Sequence, residues 1–158
     1  MTTRTVVLVA PLAAMLALTG CSDAKQTVSA ARQDATTAVQ DAKAALDQAG
    51  AALADVQGEA SDADAKLASL AGGAKADAAN AVGQAKDAAT QANAALDKAR
   101  QADASANQDL ASAKTQVDQA KAQVEQARSQ ASGAAADALE KLAQGLQKLS
   151  DELKQAGS

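Results

Sequence analysis

Between residues 28 and 131, every Val and Leu of this chain falls on two positions of a seven-residue repeat, with one slip of register beside Gly72 and Gly73. From Ala78 the repeat is written as AANAVGQ, AKDAATQ, ANAALDK, ARQADAS, ANQDLAS, AKTQVDQ, AKAQVEQ and ARSQASG. With each opening Ala called d, position a holds Val82, Ala89, Leu96, Asp103, Leu110, Val117, Val124 and Ala131. An earlier array from Val28 reads VSAARQD, ATTAVQD, AKAALDQ, AGAALAD, VQGEASD and ADAKLAS, with Val39, Leu46, Leu53 and Leu67 at a. Chance would confine these twelve Val and Leu residues to two positions in seven roughly once in several million trials, before any choice of register. The pattern predicts helices joined along a narrow apolar seam.

Composition narrows the fold further. Past Cys21 there is no Pro, Met, Ile or aromatic residue, so Val and Leu are the only larger apolar side chains. Ala orders into helix at no side-chain entropy cost, and a chain rich in Ala, Gln, Asp and Lys favours long helices over a broad core. Alanine at d lets helix backbones approach closely, but a methyl group buries a fraction of the ~1.5 to 3 kcal/mol that a buried Leu contributes. Length and helix propensity must supply the rest. Asp97 with Arg100, Asp118 with Lys121 and Glu125 with Arg128 are spaced for surface ion pairs, each worth a few tenths of a kcal/mol.

Glycines mark where the chain is expected to fold back. Gly inside a helix costs about 1 kcal/mol relative to Ala, and the register shifts at Gly72-Gly73 and again at Gly133. Beyond Gly133, Leu139, Leu146 and Leu153 take position a, and Leu142 and Leu149 take d. Reflection about Gly72-Gly73 sets Val39, Leu46, Leu53 and Leu67 opposite Ala106, Ala99, Ala92 and Ala78. Reflection about Gly133 sets Leu139, Leu146 and Leu153 opposite Ala127, Ala120 and Ala113. Large meets small in each layer. The expectation is an all-α fold: a long alanine-rich antiparallel coiled-coil hairpin or an up-down-up three-helix bundle, with helices over 28–71, 74–132 and 135–156.

The segment before this body has a different character. Residues 1–4 carry one positive charge, residues 6–18 form a nearly unbroken apolar run, and the run closes on small residues. It is shorter than the roughly 20 apolar residues a membrane span requires, so 1–20 reads as a secretory signal. Its end, Leu18-Thr19-Gly20-Cys21, resembles the lipobox of bacterial lipoproteins. The resemblance implies a diacylglyceryl thioether on Cys21, cleavage before it, and a mature chain held to a membrane by lipid, with 21–27 as a lipidated tether. Two or more acyl chains suffice for stable anchoring, at about 0.8 kcal/mol per buried methylene. A Ser after the cysteine, here Ser22, resembles the lipoproteins passed outward in envelopes with two membranes; cell membrane and outer membrane both stay open.

A lipobox leading into Ala-rich heptads is also similar to the murein lipoproteins and their alanine-zipper relatives, rod-like proteins that tether or space envelope layers. That resemblance implies an extended homotrimeric coiled-coil rod as the alternative architecture, and a homo-oligomer or another envelope protein as partner. This chain is about twice as long and ends Lys154-Gln155-Ala156-Gly157-Ser158, not in the Lys that the family joins to peptidoglycan, so covalent linkage to the wall is not expected.

Chemistry has few carriers here. There is no His, and Cys21 is committed to lipid by the lipobox reading, so no nucleophile with a base, no phosphate loop and no metal spacing is found; catalytic, cofactor and metal sites are expected to be none. A net charge of -4 argues against nucleic acid, which requires clustered Lys and Arg. Asp103 on the seam reads as a soft spot facing water, since Ala104, Ser105 and Asn107 offer no acidic cluster around it. The amphipathic segment 138–156 has mixed charges, which favours packing on the second helix over a membrane surface. The reading is a lipid-anchored extracytoplasmic helical spacer or interaction protein. The alternative is a largely disordered, membrane-tethered protective protein similar to the late-embryogenesis-abundant type, suggested by the eleven-residue echo AKADAANAVGQ and AKDAATQANAA.

Overall fold

The computed structural model describes the backbone of residues 23–157 and the side chains of 31–157. Four helices make up nearly all of it: α1 (Asp23–Lys66), α2 (Gly72–Arg100), α3 (Ala106–Gln130) and α4 (Ala134–Ala156). A short 3-10 turn, Leu67–Ser69, closes α1. Two units are distinguished, Met1–Thr37 and Ala38–Ser158, and the second holds the packed core.

Polar pairs between helices show how that second unit is wound. Asp64 of α1 pairs with Lys86 of α2, and Arg100 of α2 reaches the Leu46 carbonyl at 3.4 Å. Lys98 of α2 meets Asp109 of α3 at 2.8 Å, and farther along Gln84 of α2 and Gln123 of α3 wall the same groove. Between α3 and α4, Ser150 donates to Asp118 at 2.6 Å, Lys121 to Gln147 at 2.8 Å, and Arg128 pairs with Glu140 at 3.3 Å. Lys148 of α4 returns to Asp55 of α1 at 3.0 Å. In each case residue numbers rise on one helix as they fall on its neighbour. The bundle is therefore up-down-up-down and closed, with α4 beside α1.

The heptad seam is the core. Ala49, Leu53, Val56, Ala60, Ala63 and Leu67 of α1 are buried, as are Val82, Ala89 and Leu96 of α2 and Leu110, Val117 and Val124 of α3. All five Leu residues of α4, at 139, 142, 146, 149 and 153, are buried almost completely. At ~1.5 to 3 kcal/mol for each buried Leu, α4 contributes about 10 kcal/mol of gross burial energy, more than any alanine-lined helix of similar length can match. α4 is the wedge around which the alanine-rich helices close.

The all-α up-and-down bundle is as the heptads predict, but three expectations need correction. The second helix expected over 74–132 is two helices. α2 ends at Arg100 and the chain reverses over residues 101–105, giving four helices instead of the expected three or an extended rod. The cause lies in the seam: block ARQADAS puts a charge, Asp103, where its neighbours put Leu or Val, and nothing apolar holds the helix on course. Asp103 and Ser105 also supply the turn's own hydrogen bonds, with the Ser105 N–H and hydroxyl donating to the Asp103 carboxylate at 2.8 and 2.9 Å. Ala102 takes a left-handed φ of 53°, and Asp103 N–H closes on the Lys98 carbonyl at 3.1 Å.

Second, Val39 does not lie against Ala106. Because α2 stops at Arg100, the partner for the N-terminal part of α1 is spent, and Val39 is 69% exposed. Third, only Asp97 and Arg100 of the expected surface pairs form, at 3.2 Å. Asp118 pairs with Lys114 and Lys121 with Glu125 at the i, i+4 spacing within α3, while Ser150, Gln147 and Glu140 of α4 take Asp118, Lys121 and Arg128 across the helix interface.

The other two reversals fall where glycines predict them. Leu70 and Ala71 are extended and Gly72 has φ of 63° as α2 begins. Gly133 precedes α4 at φ 57° and ψ -142°, a conformation that an L side chain rarely adopts.

Candidate functional site

The four residues singled out from the sequence, Leu18, Thr19, Gly20 and Cys21, lie outside the described residues, as do the signal 1–20 and the first two residues of the expected tether 21–27, whose remaining residues are the start of helix α1. Three places in the described bundle gather polar chemistry.

One is the α2/α3 turn. The Lys98 ammonium bonds Asp109, and the Ser105 hydroxyl lies between two carboxylates, 2.8 Å from Asp109 and 2.9 Å from Asp103, so its single proton serves one of them at a time while the Ser105 backbone N–H holds Asp103. The hydrogen bond from Lys98, then that from Ser105, holds the Asp109 carboxyl below its ordinary range. The Ser105 backbone N–H and hydroxyl do the same for Asp103, and Asp109 in turn raises Lys98. The carboxylates are spoken for by the turn itself. Asp103 is thus a turn residue, with its seam position turned into a helix stop.

A second lies between α1 and α4. Glu59 lays its carboxylate over Gly145, where a Cβ would collide with Oε2, and that oxygen is buried without a hydrogen-bond partner. Burial, then the neighbouring Asp55, pushes the Glu59 carboxyl up, against the pull of Lys141 and Lys148. Glu152 Oε2 is likewise buried without a partner. Sequence reasoning missed this pair. Glu59 stands beside the seam at g, and Gly145 is the lone glycine inside the Leu-rich helix; the two are signals only once α4 is known to return to α1.

A third is the open groove between α2 and α3, about 490 Å³, walled by Asp77, Asn80, Gln84, Asp87, Gln123 and Gln126. Amides and carboxylates accept and donate hydrogen bonds there, with no hydroxyl, thiol or amine among those six side chains to act as a nucleophile. Ser150, the buried hydroxyl of α4, is tied to Asp118, whose carboxyl is raised by burial but lowered more by Lys114 and Ser150, for a net shift below its ordinary range. That contact fastens α4 to α3.

Among the described residues no three His, Cys, Asp or Glu side chains come together to hold a metal ion, and no helix is long and apolar enough to cross a membrane. No family model matches the chain, and no curated protein or solved structure resembles it closely enough to count as a relative.

Proposed function

We propose that the mature protein is a lipid-anchored helical spacer or interaction module of a bacterial cell envelope, acting through shape and surface and not through catalysis. The observation that carries this reading is the apolar run 6–18 closing on Leu18-Thr19-Gly20-Cys21, followed two residues later by helix α1 starting at Asp23. Thioether-linked acyl chains on Cys21 supply the membrane attachment, and the body supplies reach. At 1.5 Å per residue the 29 residues of α2 extend about 43 Å, a span that a compact sheet domain of this size does not offer.

The test is the mass of the intact protein purified from its own cells. A chain beginning at Cys21 with acyl chains added is expected, together with incorporation of a labelled fatty acid that Cys21→Ala abolishes. An unacylated protein that retains residues 1–20 overturns the reading. The competing description, a tethered protective protein that gains helix only on drying or on membranes, draws on the eleven-residue echo. A cooperative helical melt in dilute buffer tells against it, because a disordered chain shows none.

A further inference from the structure

Helix α3 sorts its surface by charge. From Lys114 onward its charged side chains form a network on the side of α4, where Ser150, Gln147 and Glu140 take Asp118, Lys121 and Arg128. The side that faces α2 carries amides instead. Gln116, Gln119, Gln123, Gln126 and Gln130 succeed one another at steps of three and four, which puts them on one stripe of the helix. Asn80, Gln84 and Gln91 of α2 form the opposite wall, with the carboxylates of Asp77 and Asp87. Two hollows of about 490 and 290 Å³ share Gln84 and Asp87 and so make one continuous groove. From Asp77 to Gln91 it runs about 21 Å at 1.5 Å per residue.

Two observations set this groove apart from an ordinary wet surface. Among the described residues, none of its amides has a side-chain hydrogen bond within the protein, whereas Gln144 and Gln147 of α4 are engaged with Glu140, Lys121 and Asp151. The second is Gly83, inside α2 on the wall of the larger hollow. Nothing in the protein lies within 4 Å of where its Cβ would be, and its φ is not positive. Gly is a poor helix former, so neither packing nor backbone conformation accounts for it there. Its missing side chain leaves the groove wide.

We propose that this groove binds an uncharged, hydroxyl-rich chain, a neutral polysaccharide. A hydroxyl donates and accepts, an amide does both, and a carboxylate accepts, so the two walls match a run of hydroxyl groups in any orientation. Other ligand classes fit poorly. The stretch holds two carboxylates and no cation, which repels nucleic acid and anionic lipid. Asp77 and Asp87 are separated by about 15 Å along the helix and do not converge on a metal or an amine. Ala88, Ala120 and Ala127 line the groove with methyl groups and offer none of the side-chain pockets by which extended peptides are selected. Each hydrogen bond replaces one made to water, so a single chain binds weakly, and many copies at one membrane bind a long polymer together. The proposal deepens the interaction-module reading and rests on it for its setting, a surface outside the cytoplasm.

The experiment uses the full-length chain, purified in a detergent without a sugar headgroup and titrated with maltoheptaose, a linear neutral glucan, while the glutamine side-chain amide signals are followed by NMR. Shifts are expected at Gln84, Gln123 and Gln126 at millimolar sugar, and none at Gln144 or Gln147. Gly83→Leu, which fills the open space and is a better helix former, is expected to weaken binding about tenfold without lowering the thermal midpoint. Gly58→Leu, equally open but on α1 away from the groove, is expected to leave binding unchanged. Absence of shifts, equal weakening by both substitutions, equal binding of dextran sulfate, or the same shifts from a neutral Gly-Ser peptide but not from the glucan overturns the proposal. Acylation is read by mass on the same preparation: an acylated chain that ignores the glucan refutes the groove alone, and an unacylated chain that binds it refutes the anchor alone.

Discussion

Replacing Glu59 with Gln should stabilise the bundle near neutral pH and leave it little changed in acid. The carboxylate rests on Gly145 with Oε2 buried and unpartnered. Burial and Asp55 outweigh Lys141 and Lys148, so the folded-state carboxyl titrates above its ordinary range. For a carboxyl raised in the folded state, the neutral form is the one that folding favours. Glu59 therefore contributes its stability at low pH, below its unfolded pKa, and that contribution is lost as pH rises through the raised folded value. Gln leaves a polar atom in the same place but removes the charge whose burial is unfavourable, and because Glu59 keeps much of its side chain in water the gain is at most about 1 kcal/mol. For a bundle of this size that corresponds to a rise of roughly 3 to 6 °C in Tm at pH 7.5. Thermal melts of the parent and Glu59→Gln, followed by circular dichroism at pH 7.5 and pH 3.5, read the difference directly. A variant less stable than the parent at pH 7.5 would mean that the Lys141 and Lys148 attraction outweighs burial, and an advantage that is the same at both pH values would mean that the charge plays no part; either result refutes the argument.

Leu146, fully buried near the middle of α4, should cost ~2 to 5 kcal/mol when changed to Ala, visible as a large drop in the denaturant midpoint; Val39→Ala, on a side chain mostly in water, should move it by less than about 0.5 kcal/mol. Ala102→Gly should raise Tm slightly, because a left-handed Ala costs roughly 1 kcal/mol that Gly does not, partly offset by the greater unfolded freedom of Gly. Gly133→Ala should destabilise by ~1 to 3 kcal/mol in the same melts although open space surrounds the position, since the backbone conformation and not crowding forbids a Cβ there. Asp109 and Asp103 titrate below the ordinary carboxylate range, so they stabilise above their unfolded pKa values and that support is lost as pH falls through the folded ones. Asp109→Asn should accordingly lower Tm at pH 7 and cease to matter in strong acid.

How far such properties are legible in the sequence depends on the range of the interaction. A seven-residue period is local, and it identified the stripe from which each helix buries its apolar side chains: Leu53, Val82, Leu96, Leu110, Val117, Val124 and Leu146 all lie in the core, although Val39 on the same stripe of α1 does not. Gly72 and Gly133 announced two reversals because a positive φ is a backbone demand that glycine meets at least cost. The third reversal carried only a faint signal, a charge at position a in ARQADAS, with Asp103 and Ser105 ready to satisfy the turn.

Residue order alone thus determined that this chain is helical, where each helix carries its apolar stripe, and that the stripes are too thin in methyl groups to form a broad core. Which stripe meets which was decided by the tertiary structure. Ending α2 at Arg100 brought α4 back onto α1, buried the Glu59 carboxylate over Gly145 and left Val39 without a neighbour. Those outcomes depend on contacts between residues about ninety positions apart, such as Asp55 with Lys148, and a repeat of seven contains no information about a partner at that distance.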